Sequence, residues 1–536
     1  MLLVLGVAVS WVALLGFRGL FNPDEGRYAE IPREILASGD WVIPHLDGLV
    51  YIEKPPLQYW ATAISFAIFG ESDWSARLYT GVSGLATVLL TAWLALRLWG
   101  AAAAWRSGIM LGSSLMVMLL SHQLTLDMSL TLYTTLTLIG FCIAQDSSTD
   151  ARYRSRWMWL AWVGAAAAFL TKGLIAGVLP ILTLALYSLL QRDIGLWRRL
   201  GIAGGLPLFL ILAAPWFMLI QHRLPQFFDF FVVREHFERF ATRLEARYEP
   251  WWFFLAILAV GCLPWITPTV RALLTGWRAS VPHGTFDVRR LLWAWSIVVL
   301  GFFSASDSKL IPYILPMFPA LALLTGAAAE ERLRADLRAT GLGLIAAAGV
   351  FALGALLLPQ FLHDAARAPY FLAMRTPLVV LAVTLAIGGC SVRLQRGPSL
   401  PLTVTIGASS YVAFASVAWA ASLLAPVYSG ALLLPQLRGV LALDTPVYSV
   451  RTYDQSLTFY LGRTVTLVDW RGELDFGLTL APQKGIASLE AFVARWQAER
   501  QALAVMEPET YAQLQAAQVP MVVRASVPHE LVVSRR

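Results

Sequence analysis

Thirteen predominantly apolar stretches run through the chain up to residue 425, near 1–20, 74–98, 103–121, 124–145, 157–171, 173–190, 200–220, 251–270, 291–305, 310–328, 341–360, 376–392 and 401–425. A bilayer crossing takes about 20 such residues as a helix, and a helix satisfies its own backbone polar groups where no water can. The pattern therefore predicts a polytopic α-helical membrane protein with about thirteen transmembrane helices. Charge agrees: 14% of the 536 residues are Asp, Glu, Lys or Arg, against about 25% in soluble domains. The net charge of +7 is not a nucleic-acid signal here. In a membrane protein an arginine surplus reports orientation and contact with anionic lipid.

The connectors set a topology. With the N-terminus in the cytoplasm, every second connector is short and carries Arg: Arg97 and Arg106, then Arg152, Arg154 and Arg156, and then Arg192, Arg198 and Arg199. Arg271, Arg278, Arg289 and Arg290 follow, with Arg332, Arg334 and Arg338 and finally Arg393 with Arg396. That is the positive-inside pattern. Residues 21–73, 221–250 and 304–309 and the C-terminal part then face the other side. The first apolar stretch has no basic segment before it and no small-residue cleavage site, so it reads as a retained span. Cys142, Cys262 and Cys390 lie far apart with no metal-ligand spacing.

Composition shifts toward soluble at 426–536. Alternating short apolar runs predict strands at 446–450, 464–469, 502–507, 520–525 and 530–534, with helices at 454–462, 488–501 and 508–517. This is a small α/β domain, without a glycine-rich phosphate loop or a His/Cys cluster and with no catalytic role expected. The chain thus divides into a membrane domain, 1–425, with outer loops 21–73 and 221–250, and a soluble α/β domain, 426–536.

The residues that carry chemistry cluster on the outer side. Between the first two spans, residues 21–58 hold Asp24, Glu25, Arg27, Glu30, Arg33, Glu34, Asp40, Asp47, Glu53 and Lys54. Charges so near hydrocarbon are costly unless paired, hydrated or working. Asp24 and Glu25 follow Pro23 at the head of an amphipathic helix, RYAEIPREIL. They read either as helix caps or as carboxylates that orient an acceptor or take its proton. Lys54, before Pro55 and Pro56, is a snorkelling lysine or a partner for a phosphate headgroup. In 221–250, Arg234, His236, Arg239 and Arg243 alternate with Phe residues, as an interfacial amphipathic helix or an arginine clamp for a phosphate, with His236 available as a metal ligand. At 302–324, Asp307 and Lys309 precede Pro312, Pro316 and Pro319, whose breaks fit a cavity-lining segment that includes Tyr313. Lys172, at the turn Thr171-Lys172-Gly173, reads as a loop charge.

The wording DEGRYAEIPREILASGDWVIPHLDGLVYIEKPPLQYW, with REHFERF at 234–240 and SKLIPYILPMFPALALL at 308–324, resembles the GT-C glycosyltransferase superfamily. It is most similar to the polyprenyl-phosphate-sugar-dependent branch that holds the protein O-mannosyltransferases and the lipid A aminoarabinose transferases. The resemblance covers the membrane part and implies a GT-C-like fold in the bacterial inner membrane with the active site facing the periplasm. It implies transfer of a sugar from undecaprenyl phosphate to lipid A, with a protein or another glycan or lipid as alternative acceptor. By that resemblance Asp24, beside Glu25, takes the catalytic position, while Lys54, Arg239, Tyr313 and Lys309 hold the donor phosphate. Glu53 and His236 are similar to positions that bind a divalent metal, zinc or a similar ion, although a zinc site usually has at least three protein ligands. A transporter of polyprenyl lipid is the competing class. It calls for functional charges in mid-span, whereas these gather at one surface.

Overall fold

The computed structural model describes residues 2–145, 150–238, 249–278, 280–442 and 444–535, with the side chains of 2–4, Ala151 and 236–238 excepted. The first part is a helical bundle: α1 (Leu2–Ala13), α2 (Asp24–Ser38), α3 (Leu57–Phe69), α4 (Asp73–Trp99), α5 (Ala101–Gly112), α6 (Leu115–Ser121), α7 (Asp127–Ala144), α8 (Ala151–Lys172), α9 (Ile175–Gln191) and α10 (Ile202–Arg223). Beyond a π-helical turn at Asp229–Glu238 come Phe253–Gly261, Ile266–Thr275, Val288–Ala305, Phe318–Gly326, Glu330–Leu357, Arg375–Leu394 and Ser399–Leu423.

All thirteen apolar stretches are helical in whole or in part, and several are broken or short. Among the described residues seven helices are long and apolar enough to cross a bilayer, or eight counting α5 and α6, which meet at a 62° bend. The difference has local causes. The stretch 251–270 breaks between Gly261 and Ile266, around Pro264, and the stretch 310–328 opens with a 3-10 turn, Ile311–Met317, that holds Pro312 and Pro316. Proline removes a backbone donor and resists the α-helical turn before it.

Side-chain size governs how the helices meet. A Cβ on Gly140 of α7 would lie 2.5 Å from the Trp157 carbonyl of α8, so only glycine lets these backbones approach, as small residues do in membrane bundles. The arginines read as orientation signals are anchored at one end of the bundle. Arg271 bonds Asp336 at 2.8 Å, Arg106 pairs with Glu330 and Arg199 with Asp193. The bundle's other end carries α2, α3 and the C-terminal domain.

That domain is a six-stranded sheet in the order β5-β4-β3-β6-β8-β7, formed by β3 (Val447–Val450), β4 (Thr466–Val468), β5 (Gly485–Ile486), β6 (Leu503–Met506), β7 (Val522–Ser526) and β8 (Leu531–Ser534). A two-stranded ribbon in the first outer loop supplies β1 (His45–Leu46) and β2 (Leu49–Val50). The sheet is parallel from β5 to β6 and antiparallel at β8 and β7. The helix Pro508–Ala516 and its neighbour Leu489–Ala498 sit where the alternation places them. The helix Asp475–Leu480 and the strand β5 are additions, both too short to show a period.

The domain is docked on α2 through the helix Gln455–Leu461. Asn22 Oδ1 accepts from Ser456 N at 2.8 Å, Asp47 Oδ1 from Val465 N at 2.7 Å and Asp73 Oδ1 from the Tyr460 hydroxyl at 2.6 Å, while Arg33 Nη1 donates to the Gly462 carbonyl at 3.0 Å. A Cβ on Gly26 would lie 2.3 Å from Ser456 N, a distance that backbone cannot absorb. Gly26→Ala is expected to loosen this joint at a cost of about 1–3 kcal/mol, read as a lower melting midpoint and faster proteolysis of the C-terminal domain.

Candidate active site

The helix α2 is polar for most of its length and yet buried from Glu25 to Ile35, so its charges are paired or shielded. Arg33 grips both oxygens of Glu30, at 2.6 and 2.7 Å. Glu34 accepts from the Gly48 N–H at 2.9 Å. Burial first, and then the Glu30 carboxylate, push Glu34 up to about 8, so it is protonated at neutral pH. A carboxyl raised by folding contributes stability that is full below its unfolded value, about 4.3, and lost as pH rises toward the folded one. The wild-type melting midpoint is accordingly expected to fall between pH 5 and 8, and Glu34→Gln to flatten that fall.

The acidic pair at the start of α2 divides into two environments. Glu25 is wholly buried. It accepts from Arg77 Nε at 2.7 Å and Nη2 at 3.0 Å, from Phe21 N and Leu124 N at 2.9 Å, and is paired with Arg18. Burial alone raises its pKa, but Arg18 and Arg77 outweigh it and hold the carboxyl down at about 2. Both oxygens are occupied, so Glu25 departs from the catalytic position expected for it and serves as the knot that ties α1, α4 and the turn before α7 to α2. Asp24, one residue earlier, keeps 51% of its side chain exposed and lies 3.6 Å from Arg27 Nη1.

Around Asp24 the walls of an opening come from both domains. Arg27 is also paired with Glu473 of the C-terminal domain and lies 5.8 Å from the Tyr51 ring centroid. The Arg27 Nε and the Tyr59 hydroxyl are buried with no hydrogen-bond partner. Tyr28 and Tyr59 stack at 5.8 Å, and Asp24 and Asp127 both act electrostatically on Tyr28. Lys54 donates to the Glu53 carbonyl at 3.0 Å and sits 3.6 Å from Glu235, with 21% of its side chain exposed. Burial drives Tyr51 well above the ordinary phenol range, so it is a neutral donor here.

Two members of this wall went unread in the sequence. Asp127, first residue of α7, forms a part-buried ion pair with Lys172, last residue of α8. The Lys172 ammonium lies 4.5 Å over the ring of Tyr313. Lys172 is therefore not a loop charge, and Tyr313, expected to face a cavity, stands beside its ammonium. The available signal was topological: Lys172 falls in a connector, and Asp127 near the end of a span, on the same side as residues 21–73. Glu473 was missed too, because the C-terminal domain was expected to stay out of the site.

The remaining candidates separate. Lys309 is buried, and its ammonium donates to the Glu249 carbonyl at 2.9 Å and the Ser306 carbonyl at 2.5 Å. That makes it a brace for its own loop, in place of the phosphate contact expected. Phe227 and Phe231 are buried and stacked at 5.0 Å, packed with Trp216 and Phe217, so these two belong to the protein interior, while Phe228 is exposed. Arg239 and Arg243 and the side chain of His236 lie outside the described residues. Glu53 stands at the pocket, within electrostatic reach of Arg27 and Tyr51.

Known proteins share this fold. Residues 4–234 match the dolichyl-phosphate-mannose-protein mannosyltransferase family, and residues 433–535 match the aminoarabinose transferase C-terminal domain. The undecaprenyl phosphate-alpha-4-amino-4-deoxy-L-arabinose arabinosyl transferase of Pseudomonas paraeruginosa is 34% identical over 505 residues, 89% of this chain and 86% of its own length. The protein of the same name from Aeromonas salmonicida is 35% identical over 59% of this chain and 57% of its own. The crystal structure of ArnT from Cupriavidus metallidurans bound to undecaprenyl phosphate superposes with a TM-score of 0.92 at 32% identity, covering 100% of this chain and 98% of that one. Fold and site together define a polytopic membrane glycosyltransferase of the kind that uses a lipid-linked sugar donor. More narrowly, the chain belongs to the undecaprenyl phosphate-alpha-4-amino-4-deoxy-L-arabinose arabinosyl transferase family.

Proposed function

We propose that the protein moves 4-amino-4-deoxy-L-arabinose from undecaprenyl phosphate to lipid A, at the periplasmic face of the bacterial inner membrane. The observation that carries this reading is the full-length likeness to a transferase crystallised with undecaprenyl phosphate. The opening at Asp24 supports it with chemistry suited to a phosphate-linked sugar: an exposed carboxylate, the ammonium of Lys54 and the Asp127–Lys172 pair, all at one end of the bundle.

Transfer is a displacement at the anomeric carbon. An oxygen of the acceptor phosphate forms the new bond, and the bond from that carbon to the donor phosphate oxygen breaks with its electron pair. The leaving undecaprenyl phosphate is a stable anion, so it calls for positive charge in place and no strong acid. Lys54 and Arg239 are assigned that work, with Tyr313 beside them. A lipid A phosphate is already ionised, so Asp24 acts by orienting acceptor and sugar. Glu53 and His236 are the residues that would hold a divalent ion, which would add Lewis-acid charge at the donor phosphate; they supply two of the three protein ligands usual for zinc, and no step above depends on it.

Mass spectrometry of lipid A tests the assignment. Cells that make the donor lipid but lack their own transferase are compared with and without this chain. A pentose-sized mass increase that needs the chain is expected, and unchanged lipid A would remove the acceptor. The periplasmic placement is tested separately, by labelling a cysteine introduced at exposed Asp24 with a membrane-impermeant thiol reagent, and protection from the reagent in intact spheroplasts would overturn it.

A further inference from the structure

Behind the joint between α2 and the helix Gln455–Leu461, the C-terminal domain brings together Asp454, His529 and Glu530, whose ligand atoms all lie within 4.8 Å of one another. The sequence shows no His/Cys cluster in this domain because the three residues come from opposite ends of it. Asp454 precedes the helix Gln455–Leu461. His529 and Glu530 lie in the turn between β7 and β8, closed by Val527 N donating to the Glu530 carbonyl at 2.9 Å.

Each residue offers an unclaimed atom toward the others. The Asp454 Oδ1 accepts from Leu457 N and the Ser456 hydroxyl, both at 2.8 Å, which caps the helix. Its Oδ2 has no hydrogen-bond partner. Neither has Glu530 Oε1 nor either ring nitrogen of His529. Glu530 is 2% exposed and Asp454 6%. Buried polar atoms are almost always hydrogen-bonded, so these three residues call for a shared proton or a cation between them, and Asp454 interacts with both of the others. No Lys or Arg pairs with Asp454 or Glu530 among the described residues.

We propose that Asp454, His529 and Glu530 bind a divalent cation, zinc by preference. An imidazole nitrogen with two carboxylate oxygens is a borderline donor set that suits zinc. Ligand atoms about 2 Å from a shared ion lie close enough to one another that modest side-chain movement completes the set. His529 Nε2 and Asp454 Oδ2 already stand 3.7 Å apart, and the partly exposed imidazole leaves water a route to the fourth position. The ion's work is structural. It ties the β7–β8 hairpin to the start of the helix on which α2 rests, and so fixes the C-terminal domain against the helix that carries Asp24.

The test uses the full-length protein, purified in detergent without chelator and equilibrated with zinc chloride. Metal content is read by mass spectrometry and the melting midpoint with and without zinc. Wild type is expected to carry one more zinc than His529→Ala and than Glu530→Gln, and to gain about 5 °C or more on adding zinc at high occupancy, a gain that both variants lose. Comparison with the variants separates this ion from any at Glu53 and His236. Equal zinc content in wild type and both variants, or an equal zinc-induced shift, would overturn the proposal. So would a Glu530→Gln protein that melts higher than wild type in zinc, because the acid then serves as a carboxyl–carboxylate partner of Asp454. Should either variant fail to fold, zinc absorption spectra of wild type decide, since the absence of a mixed nitrogen–oxygen shell refutes the assignment.

Discussion

Lys54→Ala is expected to lower kcat for sugar transfer on the order of a hundredfold or more while leaving the protein folded in the membrane. The ammonium is held at the rim of the opening by the Glu53 carbonyl and by Glu235 at 3.6 Å, next to two prolines that fix its backbone. As the bond to the donor phosphate breaks, negative charge on the leaving phosphate grows, and a fixed cation favours that change over the ground state. The effect therefore belongs in kcat. A rise in KM with kcat unchanged would mean that Lys54 only holds the donor. Glu235 keeps only 6% of its side chain exposed, so removing this cation should also cost stability, up to about 3 kcal/mol. Asp24→Asn keeps the shape of an exposed side chain and removes its charge, and a loss of similar size is expected. A kcat within a few-fold of wild type in both variants, measured with intact donor lipid, would take the reaction away from this opening.

The sequence disclosed the architecture more fully than the geometry of the site. Apolar length is additive along a chain, so each helical stretch was visible, and short apolar runs placed β3, β4, β6, β7 and β8 within a residue or two of their observed bounds. Where a stretch bends depends on local proline chemistry and on what packs beside it, so the number of complete crossings was not visible. The site shows the same division. Asp24, Lys54 and Tyr313 stood out as candidates because each sits next to a proline at a span end. Asp127 and Lys172 look ordinary in sequence, and only the fold sets the start of α7 beside the end of α8. Glu25 could not be told from Asp24 by composition, because the difference lies in Arg77, which is distant in sequence and wholly buried. The Asp454, His529 and Glu530 cluster depends in the same way on the β7–β8 turn reaching the head of a helix more than half a domain away.

Arg77→Ala is expected to be the most destabilising single change in the first outer loop and its surroundings, at about 3–5 kcal/mol. Arg77 is fully buried. It donates to both Glu25 oxygens and to the carbonyls of Leu15, Arg18 and Gly19, at 2.7–3.0 Å. Deleting one partner of a buried ion pair costs about 3–5 kcal/mol, and Arg18, which reaches one Glu25 oxygen, does not replace the two-point grip of Arg77. The three carbonyls also lose their donor. Glu25→Gln is expected to fall in the same direction by less, since the amide keeps an acceptor for the backbone donors but presents its NH2 to two arginines. The pH sign follows from the carboxylate. Glu25 is held down at about 2, so its contribution is full above the unfolded carboxyl value of about 4.3 and is lost only as pH falls toward 2. The penalty in Arg77→Ala should thus be undiminished from pH 5 to 8, the range in which the Glu34 effect changes. Thermal melts of the detergent-solubilised protein at pH 5 and 8 read both. If Arg77→Ala melts with wild type while losing transfer activity, then Glu25 acts on substrate and the catalytic carboxylates are two.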